Sequence, residues 1–499
     1  MKMNKIYKSL GLLLALSLFS SCYKDHSVNG DHPLAVVKVT EPIASVQTAT
    51  FGEVTVIKSP AYTITTGASV TPSYEWIVDG VVVSTEKDLS YSPTSYGKHD
   101  ARLRMYTPDG SYFYRFTIDV PYRYVDGLYV LASNEGKTIL SYLPGGEKTD
   151  AFDLDAFGRS NPTIDMTGDP QSMVFYRYVP GAGASRSYLG IALGLPTRYY
   201  RVSADSLKVL SPRISFTNPV DFSHASGNQA TVREYFISGA NVWEMERSAN
   251  VPAKKHDKYL SPVAPGYSLA SAIVNWRALT GTRISEGMAF FDNAGSNLLY
   301  MILGSRVTVK KVRTFAASAF PGGAPEETNP FEGMTLIDMK SAGEGNYTYN
   351  YTLLLLKRNS DSKYFVARLT AGDFTQSQSV DGATVSMVEF TEGTPTHLMP
   401  NLGGTAALVA TADKVYFYNM ANTTATTHPA WISLPAGQTI ASMALTSDNR
   451  LFIGANGTGT GLVGSIYSYN VAGITPVLLK SEEGITGKIK QIVYRQFSN

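Results

Sequence analysis

The sequence predicts an all-β chain in which a small β-sandwich precedes a β-propeller. Three observations carry this expectation. Strand-length runs of Val, Ile, Tyr and Phe alternate with Gly, Pro, Asn and Asp along most of the chain, and no helical period intervenes. Only 17% of residues are charged, while glycine occurs 43 times and tyrosine 31 times, a composition suited to half-buried strands joined by tight turns. Beyond residue 121, one hairpin pattern returns at blade-sized spacing.

The N-terminal segment is read first as a signal. Lys2, Lys5 and Lys8 precede an apolar run over 10–19, and the small pair Ser20-Ser21 follows. A basic stretch, a short apolar stretch and small residues make residues 1–21 a secretory signal, since the run is too short to span a bilayer as a stable helix. Cys22 comes next and is the one cysteine of the chain. Residues 22–33 are polar, include Gly30 and Pro33, and read as a flexible tether.

From Leu34 the pattern changes to short strands. Candidates lie at 35–39, 54–57, 62–65, 74–78, 81–83, 101–106 and 112–118, separated by turn residues. That density of strands over 34–121 points to an immunoglobulin-like sandwich.

The region 122–499 repeats a strand, a polar Asn, Asp or Gly turn, and a second strand rich in Tyr, Phe and Leu. The clearest copies are 128–142, 288–301, 353–366, 407–418 and 443–453, with weaker ones at 174–193 and 235–245. Their turns fall near residues 134, 182, 240, 293, 360, 413 and 448, with roughly 35 to 67 residues between neighbours. Seven hairpins predict seven blades, with six or eight as alternatives. A last strand at 489–494 is expected to join an early strand and close the ring, removing exposed sheet edges. After the signal the apolar run 353–356 reads as a buried strand.

Charge and motifs narrow the chemistry. The 43 basic and 41 acidic residues nearly balance, and no Lys/Arg cluster beyond the signal offers a footprint for nucleic acid. The zinc-protease, nucleophile-elbow and phosphate-loop patterns are absent, so no catalytic residue, metal site or cofactor is assigned. The seven histidines are scattered, and His224 near Asp221 and Ser223 reads as a loop histidine. Asp150, Asp153 and Asp155 form an acidic alternation that lacks the rest of a calcium loop and reads as a surface turn. Asn346 and Asn350 fit glycosylation sequons. Two carboxylates from distant blades could pair in space to cleave glycosides, which spacing in sequence does not reveal.

Ligand-contact candidates come from aromatic rings, whose flat faces stack on sugars or clamp peptides. Trp276 beside Arg277 ranks first, Tyr199-Tyr200 between Arg198 and Arg201 second, and Trp243 is a further candidate, with Trp431 also in the region. For each, packing between blades is the competing role.

Several segments also resemble known families. Phe19-Ser20-Ser21-Cys22 resembles the lipobox of bacterial lipoproteins, which implies cleavage before Cys22 and its acylation. Lys24-Asp25 resembles the signal that sends Bacteroidota lipoproteins to the outer face of the outer membrane. Asp205-Ser206-Leu207 resembles a Bacteroidota O-glycosylation site. Tyr74-Glu75-Trp76, Val78-Asp79-Gly80, Leu89-Ser90-Tyr91 and Tyr96-Gly97 are similar to a PKD-like domain, although the second Gly-Asp-Gly turn of the commoner form is missing. In that family the Trp packs between sheets and the Asp-Gly pair makes a hairpin turn.

The whole layout resembles the PKD-like surface lipoproteins of Bacteroidota. The resemblance implies a lipid-anchored, non-catalytic accessory on the extracellular side, capturing a peptide or glycan for a TonB-dependent transporter and its substrate-binding lipoprotein. The alternatives are a surface glycosidase or peptidase with its site in the propeller funnel, and a structural subunit of the transporter complex.

Overall fold

The computed structural model describes residues 34–64, 70–94, 97–121, 123–146, 151–178, 186–194, 197–210, 214–216, 220–225, 233–238, 241–245, 254–255, 268–280, 283–302, 308–312, 314–316, 326–342, 351–370, 379–380, 384–401, 406–420 and 428–496. Cys22, with the signal and tether, lies outside them, as do Asn346, Asn350 and Asp150. The chain divides into two compact units at residue 122. Among the described residues no helix is long and apolar enough to cross a membrane.

The first unit is all β. Its strands are β1 (Val37–Glu41), β2 (Val46–Thr48), β3 (Thr55–Ile57), β4 (Ala61–Ile64), β5 (Ser73–Val78), β6 (Val81–Ser84), β7 (Leu89–Tyr91), β8 (Gly97–Thr107) and β9 (Gly110–Val120). One sheet runs β2-β9-β8-β5-β6, and the pairs β1-β4 and β3-β7 form the smaller sheets. Strict alternation along β8 buries Ala101, Leu103 and Met105 and leaves Arg102, Arg104 and Tyr106 on the other face. The buried face shares one core with Val37, Ile57 and Leu89 of the smaller sheets.

Trp76 is fully enclosed there, edge-on to Phe116 at 6.1 Å, and its indole N–H donates to the Glu86 carbonyl at 2.9 Å. Asp79 and Gly80 both take positive φ (48° and 83°) and join β5 to β6 in a two-residue turn. The Asp79 carboxylate also fixes this turn to β8, since it accepts the Asp100 N–H at 3.0 Å and bonds His99 Nδ1 at 2.6 Å.

The second unit is a succession of small antiparallel sheets in a propeller-like arrangement. Sheet A orders Lys137–Pro144, Gly127–Asn134 and the late strand Lys488–Arg495. Sheet B contains Asp169–Tyr178, Arg186–Gly194, Thr197–Ser203 and Ile214–Phe216, and sheet C contains Val220–Ala225, Arg233–Ser238, Asn241–Met245 and Lys254–Lys255. Sheet D contains Leu269–Thr280, Arg283–Asp292, Asn297–Ile302 and Thr308–Val312, with Ser379–Val380 added in parallel. Sheet E contains Met334–Ala342, Tyr351–Arg358, Tyr364–Thr370 and Thr384–Phe390. Sheet F contains His397–Pro400, Ala406–Ala410, Lys414–Asn419 and Ile432–Ser433, and sheet G contains Thr439–Leu445, Arg450–Asn456, Gly464–Asn470 and Val477–Thr486. A short hairpin, Thr314–Ala316 with Glu326–Thr328, lies between sheets D and E in sequence.

The apolar runs of the second strands follow from packing on both faces. Leu354 and Leu356 of sheet E meet Ala289, Phe291 and Tyr300 of sheet D, while Leu353 and Leu355 meet Ala407 and Val409 of sheet F. Leu408 and Ala410 then face Leu451 and Ile453 of sheet G, and Phe452 faces Leu128 and Val130 of sheet A. Tyr129 and Leu131 in turn face Leu189 and Ile191 of sheet B. A residue pair that alternates on one strand therefore builds two different cores.

The earliest strand of each of sheets B to G, and Lys488–Arg495 of sheet A, are the inner strands. Each neighbours the inner strands of the sheets before and after it, and the succession returns to its start because Lys488–Arg495 lies against both Thr439–Leu445 and Asp169–Tyr178. The late strand pairs antiparallel with Gly127–Asn134, as its sequence predicts.

The inner strands share a device that no sequence repeat announces. In sheets A, B, E and G the pairing slips by one residue, and a polar side chain accompanies the slip: Gln491, Ser172, Asp338 and Ser442. Asp338 Oδ2 accepts the Leu398 N–H of sheet F at 2.9 Å. Ser442 Oγ accepts the Ile492 N–H of sheet A at 3.1 Å, and Gln491 Oε1 accepts the Met173 N–H of sheet B at 2.6 Å. Ile492 comes one residue after Gln491, so on the sheet A strand the connection received from sheet G is handed on to sheet B.

Candidate functional site

Charged side chains from three inner strands converge in the space those strands enclose. Asp338 and Lys340 stand two residues apart on one face of the sheet E strand, with Lys340 Nζ 3.2 Å from Asp338 Oδ1. The same carboxylate is held by the N–H groups of Met339 (2.8 Å) and Leu398 (2.9 Å). His397 begins the sheet F strand and its Nδ1 bonds Thr396 Oγ1 at 2.9 Å. Lys490, exposed beside Gln491, comes from sheet A.

Burial lowers the His397 imidazole below its ordinary range; the Asp338 carboxylate and the Ala441 carbonyl oppose this, while the Lys340 and Lys490 charges add to it. Sheet G stands between sheets A and F in the succession, so Lys490 acts on His397 across the enclosed space. Among the described residues the cluster sets two ammonium groups against one carboxylate that is already occupied. Such a cluster favours an incoming carboxylate, sulfate or phosphate and can donate hydrogen bonds to it.

The aromatic candidates read from the sequence do not form this site. Tyr199 and Tyr200 are 2% and 1% exposed on the third strand of sheet B, so both rings are closed to a ligand, a correction to their expected role. Tyr200 packs edge-on to Phe157 at 5.7 Å and its hydroxyl reaches the Asp165 carbonyl at 3.3 Å. Two neighbouring residues of a strand face opposite ways, and here both faces are covered. Trp243 and Trp276 with Arg277 belong to strands Asn241–Met245 and Leu269–Thr280, but their side chains lie outside the described residues. Trp431 is half-buried and donates its indole N–H to the Ile474 carbonyl at 2.7 Å.

Within the acidic alternation Asp150 lies outside the described residues and Asp155 is exposed, while Asp153 is enclosed. Asp153 is buried between Arg159 (3.1 Å) and Arg123 (3.5 Å), and Asp155 caps the short helix Ala156–Ser160 by accepting the Gly158 N–H at 2.9 Å. Ser206 is buried and its neighbour Asp205 is paired with Arg495, so the O-glycosylation resemblance falls on an enclosed hydroxyl. His224 belongs to strand Val220–Ala225, and its side chain lies outside the described residues. Among the described residues no group of three or more His, Cys, Asp or Glu side chains could hold a metal ion.

A further cluster escaped the sequence altogether. Glu392 accepts the Tyr418 hydroxyl and, at 2.9 Å, the His428 N–H, while the His428 ring lies 3.9 Å from that of Tyr418. Burial works against its charge, but these bonds and those from Thr391 hold the Glu392 carboxyl below its ordinary range. Tyr418 is fully buried, so the cluster fastens the segment at 428 to sheet F. Its members come from separate loops and strands, which is why spacing gave no signal.

No family model matches the chain, and no curated protein matches it in sequence. Among solved structures, the chain is similar to a quinonprotein alcohol dehydrogenase-like protein from Bacteroides thetaiotaomicron, at 13% identity and a TM-score of 0.41, covering 92% of this chain and 99% of that one. It is also similar to apo AztD from Citrobacter koseri, at 10% identity and a TM-score of 0.38, covering 74% and 97% respectively. A functionally unknown protein from Desulfotomaculum acetoxidans is similar at 12% identity and a TM-score of 0.42, covering 73% and 98%.

Proposed function

We propose that the chain is a surface-exposed outer-membrane lipoprotein, a non-catalytic accessory that captures peptide or glycan segments bearing anionic groups for a TonB-dependent uptake complex. Its mature body is a PKD-like sandwich followed by a seven-bladed propeller, with sheets A to G as the blades. The blade count is supported by the placement of one sequence hairpin in each sheet and by the return of the inner strands to their start. The PKD-like assignment is supported by the enclosed Trp76, the Asp79-Gly80 turn and the parallel pairing of β2 with β9.

The observation that carries the reading is the placement of the chain's one cysteine, Cys22, directly after a signal-like segment and before Lys24-Asp25. Acylation there holds the protein to the membrane, since each buried methylene contributes about 0.8 kcal/mol. The axial cations Lys340 and Lys490 supply the attraction for anionic ligand groups.

The test joins anchoring to capture. Cells fed an alkynyl fatty acid are expected to label the natural chain and not Cys22→Ser, and external protease is expected to reach it on intact cells. Affinity capture through the labelled protein is expected to bring down a TonB-dependent transporter. An unlabelled natural chain, or a labelled chain shielded from external protease, overturns the reading.

A further inference from the structure

The outermost strand of sheet G, Val477–Thr486, is ten residues long. Among the described residues the outer strands of sheets B, C and F, Ile214–Phe216, Lys254–Lys255 and Ile432–Ser433, have two or three. The outer strand of sheet A, Lys137–Pro144, is buried apart from its ends, and Asp153 bridges to its Tyr142. By contrast Val477, Leu478 and Leu479 are all exposed, and Ile474 just ahead of them is 96% exposed. The apolar surface continues onto sheet F, where Trp431 bonds the Ile474 carbonyl and its ring lies 5.3 Å from Phe417.

Natural sheets shorten, cover, charge or bulge such edges, because a row of open N–H and C=O groups is a template for another strand, and here bulges at Leu479 and over 483–485 leave 480–482 in regular register. The charges on this edge are of both signs. Lys480 and Glu482 stand two residues apart, 3.4 Å from one another, with Ser481 between them. An edge of one sign repels its copy, whereas this one is complementary to itself.

We infer that the regular stretch 480–482 of Val477–Thr486 pairs antiparallel with the same residues of a second copy of this chain, about a two-fold axis at Ser481. That axis sets Lys480 opposite the partner's Glu482, and Glu482 opposite the partner's Lys480, as cross-strand pairs of opposite charge. The exposed Leu478 and Leu479 flank this pairing on one side. Glu483 keeps its bond to the Tyr467 hydroxyl at 2.8 Å, which holds the other end of the strand to its own sheet.

The test uses the full-length chain in its own membrane. A residue on the axis meets its own copy with Cα atoms about 4.5 to 5.5 Å apart, within reach of a disulfide. Ser481→Cys is therefore expected to give mostly covalent dimer on mild oxidation, while the unsubstituted chain, which carries only Cys22, and Glu332→Cys, exposed on sheet E's approach, do not. Adding Leu478→Lys to Ser481→Cys is expected to reduce the dimer several-fold. Mixed Lys480→Cys and Glu482→Cys chains are expected to cross-link better than either alone. Because Ser481 is exposed, the substitution does not threaten folding. A Ser481→Cys chain that cross-links no more than Glu332→Cys overturns the inference, as does a monomeric mass for the unsubstituted chain in detergent at micromolar concentration.

Discussion

The guanidinium of Arg495, on the inner strand of sheet A, is paired with the carboxylate of Asp205, which follows the third strand of sheet B. The same guanidinium donates to the carbonyls of Tyr124 (2.7 Å) and Ala204 (2.9 Å), and its side chain is only 2% exposed. The last inner strand is thus locked to residues that come 290 to 371 positions earlier, and one cation satisfies three acceptors from two places.

Removing that cation leaves the Asp205 carboxylate without its donor and the two carbonyls to share the Tyr129 hydroxyl, which lies 2.8 Å from each. Arg495→Ala is expected to cost about 3 to 5 kcal/mol, and Asp205→Asn less, about 1 to 3 kcal/mol, because the backbone acceptors remain. Urea unfolding followed by tryptophan fluorescence reads both. Equal losses in the two variants contradict this division of roles.

The clamps between inner strands act at separate interfaces. Gln491→Leu deprives the Met173 N–H, and Ser442→Ala the Ile492 N–H, of an acceptor. Each is expected to cost about 1 to 3 kcal/mol, and because Gln491 and Ile492 are neighbours on one strand the double variant is expected to depart from their sum by about 0.5 kcal/mol or more. Strict additivity in denaturant melts contradicts coupled clamps.

His397 predicts a pH dependence with a defined sign. Its pKa is lowered on folding from the unfolded value of about 6.5. The unfolded chain therefore binds the proton more readily, so the contribution is present above pH 6.5 and is lost as pH falls through the folded value. Urea midpoints measured downward from pH 8 are expected to decline for the natural chain and to decline less for His397→Gln. Parallel curves for the two proteins sink the prediction.

Trp76 tests the first unit by itself. Its ring fills the core beside Phe116 and its N–H is satisfied by Glu86. Trp76→Ala is expected to cost about 3 to 5 kcal/mol, whereas Trp76→Phe keeps the edge-on packing and loses mainly the hydrogen bond, about 1 to 2 kcal/mol. Proteolysis of the region 34–121 under native conditions distinguishes the two.

Local features of the fold were legible because hairpins write themselves in short stretches. Glu135-Gly136 turns with φ of 49° and 77° at the point where an Asn-Glu-Gly sequence stands between apolar runs. The uneven spacing of the seven hairpins has a physical reason. Those at 128–142, 235–245, 288–301, 353–366 and 407–418 are second and third strands counted outward, whereas 174–193 and 443–453 are first and second. The strongest hairpin signal slides by one strand, so the interval before residue 448 shrinks although the sheets do not. In the first unit β2 escaped notice, having only Val46, Gln47 and Thr48 to announce it.

The axial cluster was not legible. Lys340, His397 and Lys490 lie far apart in sequence, and each looks like an ordinary surface residue until the inner strands bring them round one space. Tyrosine abundance misled in the opposite direction. Tyr129 and Tyr142, like Tyr200, commit their rings to the core and their hydroxyls to backbone carbonyls, so a polar tip did not mean an open one.

Sheet A is assembled from strands at opposite ends of the second unit, and this orders events during biogenesis. Gly127–Asn134 emerges early yet keeps an open edge until Lys488–Arg495 arrives to occupy it. A chain interrupted anywhere between these strands retains that raw edge, a target for proteases and for aggregation. Closure is therefore a proofreading step for length: only a polypeptide translated through residue 495 can hide its first sheet.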